Sequence, residues 1–597
     1  MTPTLSATSR PRVLGWIRSA AFLDGDWGTS IAYVLGIGFT LAGYSSFWHL
    51  MMMLGLTTLV ALNYITLCRL YPNGGGVYSS VYHRSRALAV VGALLLGADY
   101  VITMSLSVLD AFHYFDFAHP NLWAIGVIIG LGLFNWYGPK HSGVLAFGIS
   151  LVTLLTLLIL MGASAPTALT ESHIAPPSGG FFRNWGIFVG LILSISGIEA
   201  ISNMTGLMKN PARDSRLAII AVLAKVITAT IFLGLAMHAV PQLTPHTEDM
   251  VRFLGEYYVA HWFGWIVALV LGLLLISAGN TALNGLISIQ FLMSVDNELP
   301  APLRRINKYG VPVIPLIIST LTPVLVLLIT HDIMILAHLY AIGVVGAVLI
   351  NIGSTATDRT LKLPRHTRLL MGLSAVILFF VELSIAIEKP QATLFASIIL
   401  FVGLGARYLA VRKARHAFHY AEAPAAGRAG RRQREMPPSV KFLVAVRGKS
   451  EQLLRFAISE ARAYNAQLLV LRVKEIAVGT LPEKMLMVSS DVDEWLEDKC
   501  AEAGIDFQVI VFASNEVGYT IAEQAALFGV DRVIMGVTRR GIVEAALKGD
   551  VIRVVSHLLP EEIQLVIFGG GAEAVARVPE KPPPSAPEKL PAETIQS

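Results

Sequence analysis

Charge is scarce in this chain. Only 15% of its 597 residues are Asp, Glu, Lys or Arg, whereas 54% are hydrophobic. A soluble domain carries roughly 25% charged residues, so a wholly water-exposed globule is excluded and most of the chain must face lipid. Cysteine is scarcer still: Cys68 and Cys500 lie in different regions and exclude a disulfide framework or a cysteine metal site. The first twenty residues lack the short apolar core and small-residue cleavage site of a secretory signal, so the first apolar segment is expected to be retained. Neither a nucleophile–base pair nor a metal-ligand cluster recurs, which argues against an enzyme and implies no cofactor. The net charge of +5 and pI near 9.0 would suit nucleic acid. The basic residues border apolar segments, however, so membrane topology accounts for them and no nucleic-acid partner is expected.

What the chain has is long apolar runs. A membrane span needs about 20 mostly apolar residues. About twelve segments meet that rule, near 22–43, 46–69, 87–112, 120–137, 143–163, 185–207, 215–240, 262–293, 312–330, 333–353, 369–388 and 391–411. With the N-terminus inside, the inner loops hold Arg69, Arg84, Arg86, Lys209, Arg304 and Arg305 among others, and the outer loops only Arg183, Arg252 and Lys389. That asymmetry predicts both termini in the cytoplasm and residence in the plasma (cell inner) membrane. The expected organisation is a cytoplasmic N-terminus over 1–20, a transmembrane transporter domain over 21–413, a linker over 414–437, a cytoplasmic α/β domain over 438–570 and a disordered tail over 571–597.

Acids inside these runs carry the functional signal, because a carboxylate at bilayer depth costs a few kcal/mol or more on insertion scales. Asp26 lies in the first segment, flanked by Gly25 and Gly28, which let the helix open and free carbonyls beside it. Glu199 lies in the sixth, within Ser194-Ile-Ser-Gly-Ile-Glu-Ala-Ile-Ser202. An acid, a glycine and small hydroxyls at mid-span, five helices apart, are the sign of an inverted five-plus-five repeat with paired broken helices. Gly and Ser are also frequent in packed membrane helices, but packing alone does not call for the acids. In the third segment Asp99, Thr103, Ser107 and Asp110 are spaced four, four and three apart and share one helical face. Such an oxygen stripe can ligate a hard cation. The bland alternative is hydroxyls bonding back to their own helix, which does not account for Asp99. Asp110, nearer the outer end, is as readily a solvated residue.

The span interiors offer these acids little basic counterweight, Lys225 lying toward the cytoplasmic end of the seventh segment, so a cationic substrate is expected. Asp24 is expected to face the cytoplasmic mouth. A carboxylate in low dielectric can load and release a proton, as a proton-coupled carrier requires. Tyr33 and Tyr340 could each add a phenol ligand or close a gate, although membrane tyrosines more often mark interfaces. Asn280 and Asn284 are expected to bond between helices.

These residues carry a resemblance. The membrane region resembles the amino acid–polyamine–organocation superfamily through its broken first and sixth helices, Tyr71-Pro-Asn-Gly-Gly-Gly-Val-Tyr78 and Lys209-Asn-Pro-Ala-Arg213. The fold this implies is a multi-pass α-helical membrane protein with a LeuT-like 5+5 inverted repeat. Gly25-Asp-Trp-Gly-Thr-Ser-Ile-Ala-Tyr33 is similar to the first-span signature of KUP-type potassium uptake permeases, and Ile102-Thr-Met-Ser-Leu-Ser-Val-Leu-Asp-Ala111 to their third-span signature. The nearest fit is the KimA branch of proton-coupled potassium importers. The resemblance implies potassium ligation by Asp26, Tyr33, Asp99, Thr103, Ser107, Ser196 and Tyr340, with Glu199 in proton coupling. Ser196 stands where threonine is expected. Amino acid carriers typically present an uncharged first break whose amides hold a carboxylate, and Asp26 would repel one there.

After the linker, strand–helix alternation predicts a parallel α/β sheet: strands near 440–446, 467–473, 507–512, 532–535 and 563–568, and helices near 451–464, 491–504, 517–528 and 541–557. This region is similar to a universal stress protein domain, whose glycine-rich loop cradles nucleotide phosphates. Gly536 and Gly549 match that loop, while Arg539 replaces its second glycine, Asp550 its hydroxyl residue, and Arg447 the aspartate after the first strand. Ordinary ATP binding is therefore not expected. Gly536, Arg539 and Gly549 stand as a regulatory anion or nucleotide site, with homodimerisation through the domain an equal expectation. The functional expectation is potassium import by proton symport. The alternatives are an amino acid or polyamine permease, and a transporter-like sensor.

Overall fold

The computed structural model describes residues 12, 14–138, 142–241, 243, 246–420, 440–447, 450–477, 494–537, 550–569 and 575–577. The N-terminal helices run α1 (Trp16–Asp24), α2 (Ser30–Ala42), α3 (Ser46–Leu70), α4 (Gly76–Tyr82), α5 (Arg86–Tyr114), α6 (Pro120–Asn135) and α7 (Ser142–Thr170). They continue as α8 (Phe181–Gly190), α9 (Ala200–Met204), α10 (Pro211–His238), α11 (Met250–Tyr258), α12 (His261–Val295), α13 (Val313–Ile329), α14 (Ile333–Thr357), α15 (Arg365–Glu388) and α16 (Pro390–Tyr420). Among the described residues, eight helices are long and apolar enough to cross a membrane, or nine when one bent pair is taken as a single span. The twelve expected segments also count the shorter helices α6 and α13, and both legs of Trp27–Leu70, which Gly43 divides with its φ of +54°.

The long helices differ in what they face. α5 packs along both α12 and α14 and is buried over most of its length. α15 and α16 instead present Leu369, Ile387 and Phe401 outward, each more than 70% exposed, as lipid-facing helices do. The scarcity of charge thus resolves into an apolar exterior around a core that holds polar groups.

Two helices are broken at that core. α1 ends at Asp24, residues Trp27–Thr29 form a single 3-10 turn, and α2 resumes at Ser30. The freed carbonyls are taken up locally: Thr29 Oγ1 donates to Asp26 O, and Ser30 Oγ to Trp27 O at 2.8 Å. The second break follows α8: a 3-10 turn at Ile192–Ile195, extended backbone at Ser196, then Gly197 at φ +87° before α9. The two halves bend by 45°.

The C-terminal domain is a six-stranded sheet ordered β3-β2-β1-β4-β5-β6, with β1 (Lys441–Val446), β2 (Gln467–Glu475), β3 (Phe507–Ser514), β4 (Arg532–Gly536), β5 (Gln564–Phe568) and β6 (Val575–Arg577). The first five pair in parallel, with Leu443 opposite both Leu469 and Val533. Period-two alternation sends Phe442, Val444 and Val446 to one apolar layer and Leu443 to the other. The layers are covered by α17 (Glu451–Ala463) and α18 (Glu494–Ala503) on one side, and by α19 (Val517–Phe528) and α20 (Val551–Leu558) on the other. Most of the helix expected over 541–557 lies outside the described residues. β6 falls inside the stretch expected to be a disordered tail, and here the structure differs. It pairs antiparallel with β5, supplying partners to an edge whose amides and carbonyls would otherwise stand open. The domain meets the helical region where Ala477 N donates to Gly310 O at 2.9 Å and Ile476 packs on Phe291.

Candidate functional site

The two breaks touch. A Cβ placed on Gly197 would lie 2.5 Å from the Trp27 nitrogen and 2.7 Å from the Asp26 carbonyl carbon, so only glycine admits this approach. Trp27 Nε1 donates to Ser194 O at 3.1 Å, tying the first break to the second. On a third side Gly343 of α14 abuts the Asp99 backbone, where a Cβ would lie 2.7 Å from the Asp99 nitrogen.

Asp26, Asp99 and Glu199 converge in this enclosure, at 3%, 0% and 4% exposure. Each carries one carboxyl oxygen that is buried without a hydrogen-bond partner: Oδ2 of Asp26, Oδ2 of Asp99 and Oε2 of Glu199. The three carboxyl groups act on one another electrostatically. The buried Tyr340 phenol lies beside Asp99 and acts electrostatically on all three acids. Tyr33 acts electrostatically on Asp26, Asp110 and Asp99. Thr103 Oγ1 donates to Asp99 O at 2.9 Å and lies 3.4 Å from Asp99 Oδ1, so back-bonding and proximity to the acid coexist in one residue. Ser107 is buried on the same face, one turn further, and Ser196 immediately precedes the Gly197 contact. Buried oxygens this dense and this poorly satisfied are uncommon in folded chains.

Two phenols in this enclosure carry no sequence signal of their own. Tyr64 acts on Glu199 and Asp99, and Tyr100 on all three acids. Asn203, just past the second break, donates to Tyr100 Oη at 2.6 Å. Tyr100 adjoins Asp99 in sequence but points to the neighbouring face of α5, so a one-face stripe could not include it. Asn280 does bond between helices, accepting from Asn135 at 2.6 Å, whereas Asn284 bonds back to its own helix. A small apolar cleft lined by Ser30, Val34, Leu50, Met53, Ser194 and Thr230 abuts the second break and includes none of the three acids.

Asp24 requires a correction. It does not open to a solvated mouth: it is 2% exposed, and Lys225 Nζ of α10 lies 2.6 and 2.8 Å from its two oxygens, with Ser150 Oγ of α7 at 2.6 Å. Lys225 is therefore neutralised at Asp24. The ion pair clamps α1 to α10 and α7. Breaking a buried pair by removing one partner costs about 3–5 kcal/mol, so Lys225→Met should lower the thermal midpoint of the purified protein markedly. The double variant Asp24→Asn/Lys225→Met should recover most of the loss. Equal midpoints for wild type and Lys225→Met would contradict the clamp.

A family model described as amino acid permease matches residues 14–406, about two thirds of the chain and every element of this enclosure. The chain belongs to the amino acid permease family. The permease is also similar to an uncharacterized transporter of Legionella pneumophila, at 24% identity over 310 residues. That match covers 46% of the permease and 64% of the relative, less than two thirds of the relative's length. Family and relative agree on transport rather than catalysis. A second family model, the universal stress protein family, matches residues 440–562.

In that second domain of the permease, β1 and β4 are neighbours whose connections run to opposite sides of the sheet, and Gly536 closes β4 at this switch point, where α/β sheets hold ligands. Arg539 and Gly549 lie outside the described residues. Asp550 Oδ1 accepts from Ile552 N at 2.9 Å, so a carboxylate already caps the N-terminus of α20.

Proposed function

We propose that this permease imports potassium by proton symport, as KUP- and KimA-type members of the superfamily do. The observation that carries this reading is the convergence of Asp26, Asp99 and Glu199 at the contact of the two broken helices, each with an orphaned carboxyl oxygen. Lys225 offers them nothing, since it is committed to Asp24. Buried carboxylates are stable only when paired, protonated or bound to a cation. A dehydrated monovalent cation, surrounded by carboxylate, phenol and hydroxyl oxygens of Asp26, Asp99, Tyr33, Tyr340, Thr103, Ser107 and Ser196, satisfies them in one state of the cycle. A proton on Glu199 does so in the other. Positive-inside loops support a plasma-membrane location with both termini cytoplasmic. The C-terminal domain serves regulation or homodimer contact.

Complementation tests the substrate. Expression should restore growth of potassium-uptake-deficient cells at low potassium, with uptake of labelled rubidium. Robust uptake of a labelled amino acid without any rubidium uptake would overturn the reading in favour of the amino acid transport that the family name describes. The coupling role has its own test. External protons drive symport inward, so acidifying the outside should accelerate rubidium uptake by the wild type. Glu199→Gln should retain rubidium binding and lose that acceleration. An unchanged pH response in Glu199→Gln would remove Glu199 from coupling.

A further inference from the structure

Outward of the three acids, α5 carries one more. Asp110 lies three residues past Ser107 on the same face, about 16 Å along the helix from Asp99 at 1.5 Å per residue. It sits only four residues from the end of α5, where a carboxylate would ordinarily be solvated. Instead it is 1% exposed, and its Oδ2 is buried without a hydrogen-bond partner.

Three outer elements close over it. The outer half of the first broken helix is tied to the end of α5 by Tyr114 Oη, which donates to Ala32 O at 2.7 Å. The loop before α11 lies against that half, with the Thr247 backbone filling the space that a side chain at Gly36 would need. α11 adds Arg252, whose Nη1 donates to Tyr114 O at 3.2 Å and whose guanidinium stacks over Trp265. Arg252 spends its charge on Glu256 at 3.2 Å and Asp116 at 3.7 Å.

The groups that act on Asp110 are therefore few. From α5 itself come His113 and Tyr114, and from the loop come Glu248 and Asp249. His113 Nδ1 lies 3.0 Å from Glu248, whose side chain is 61% exposed at the rim, and His246 lies 3.5 Å from Asp249. Inward, Asp110 and Asp26 both act on the Tyr33 phenol. The orphaned carboxylate thus stands between a rim of two histidine-paired carboxylates, of which Glu248 reaches water, and the inner acids, with one phenol common to both.

We propose that Asp110, the Tyr33 phenol and the rim carboxylates Glu248 and Asp249 form an outer station for a partly dehydrated monovalent cation, covered by the loop at 246–249, from which the ion passes to the inner acids. The station rests on the cation reading above. It gathers dilute cation, so its loss is felt at low concentration and not at saturation.

Labelled rubidium uptake into cells expressing the full chain tests it. Asp110→Asn should raise the rubidium concentration for half-maximal uptake about tenfold or more, equivalent to at least one decade of affinity, with little change in maximal rate. Asp110→Glu should restore most of the wild-type value. Glu248→Gln, at the solvated rim, tests the station even if Asp110→Asn fails to reach the membrane. Its half-maximal concentration should rise at low ionic strength and return to wild type in high salt, because a surface charge is screened beyond a Debye length of about 10 Å at 0.1 M. If wild type takes up rubidium and Asp26→Asn does not, while Asp110→Asn and Glu248→Gln match wild type at every concentration, the outer station is overturned and the inner site stands. If wild type takes up no rubidium, the cation reading falls and the station with it.

Discussion

Asp26→Asn should abolish growth of potassium-uptake-deficient cells at low potassium while leaving the protein folded in the membrane. Asparagine keeps the volume beside Gly197, so the contact of the two breaks survives and only the charge is removed. One ligand oxygen becomes an amide donor aimed at the cation. Removing one partner of a buried charge pair typically costs about 2–5 kcal/mol, an affinity loss of roughly 30-fold to several thousandfold. Rubidium uptake and binding should both collapse, with rescue by high external potassium acting through other routes in the cell. Wild-type rubidium uptake by Asp26→Asn would sink the proposed site. The same variant separates the alternatives: an amide at 26 no longer repels a carboxylate, so a carrier of amino acids should tolerate it or gain activity.

A second substitution acts on geometry alone. Gly197→Ala adds one methyl group where the nearest atoms are the Trp27 nitrogen and the Asp26 carbonyl carbon, at 2.5 and 2.7 Å from the new Cβ. These are backbone atoms and cannot swing aside as a side-chain tip could. A left-handed backbone costs an L-residue roughly 1–2 kcal/mol, and overpacking adds about 1–3 kcal/mol. Together these should separate the two breaks and lower rubidium uptake by more than about tenfold, with a reduced thermal midpoint. Gly405→Ala is the matched control, since nothing lies within 4 Å of its Cβ position. It should be neutral or slightly stabilising, as for Gly to Ala in a helix interior. Wild-type stability and transport in Gly197→Ala would mean that the breaks need not touch.

Much of this site was legible without coordinates. An acid in an apolar run is expensive in lipid, so Asp26, Asp99 and Glu199 announce themselves by context. The four-residue spacing of Asp99, Thr103 and Ser107 places them on one face of α5 by helical geometry alone. The phenols were harder to read. Tyr33 and Tyr340 came through family resemblance, and Tyr64 and Tyr100 did not come at all, because a tyrosine in a membrane helix is as readily an interfacial anchor. The strand at Val575–Arg577 was missed for another reason: three residues in a Pro- and Glu-rich stretch carry no periodic signal, and only the open edge of β5 makes them a strand.

Asp24 and Asp26 mark where the sequence stops. Two acids in one turn, in the same apolar setting and beside the same glycines, were told apart in the chain only by the expectation that Asp24 faces the cytoplasmic mouth, and the structure overturns that expectation. Composition and hydropathy determined that this is a membrane-spanning helical bundle with a separate α/β domain, because burial of apolar length in lipid depends on local sequence alone. Which acid is neutralised and which is left open depends on what crosses it in space. Lys225, two hundred residues away, ends at Asp24, while Gly197, also far along the chain, brings the second break against Asp26. Pairing of buried charge is decided by helix crossings and by the turn of the backbone at Gly25–Thr29, and spacing along one chain does not encode either.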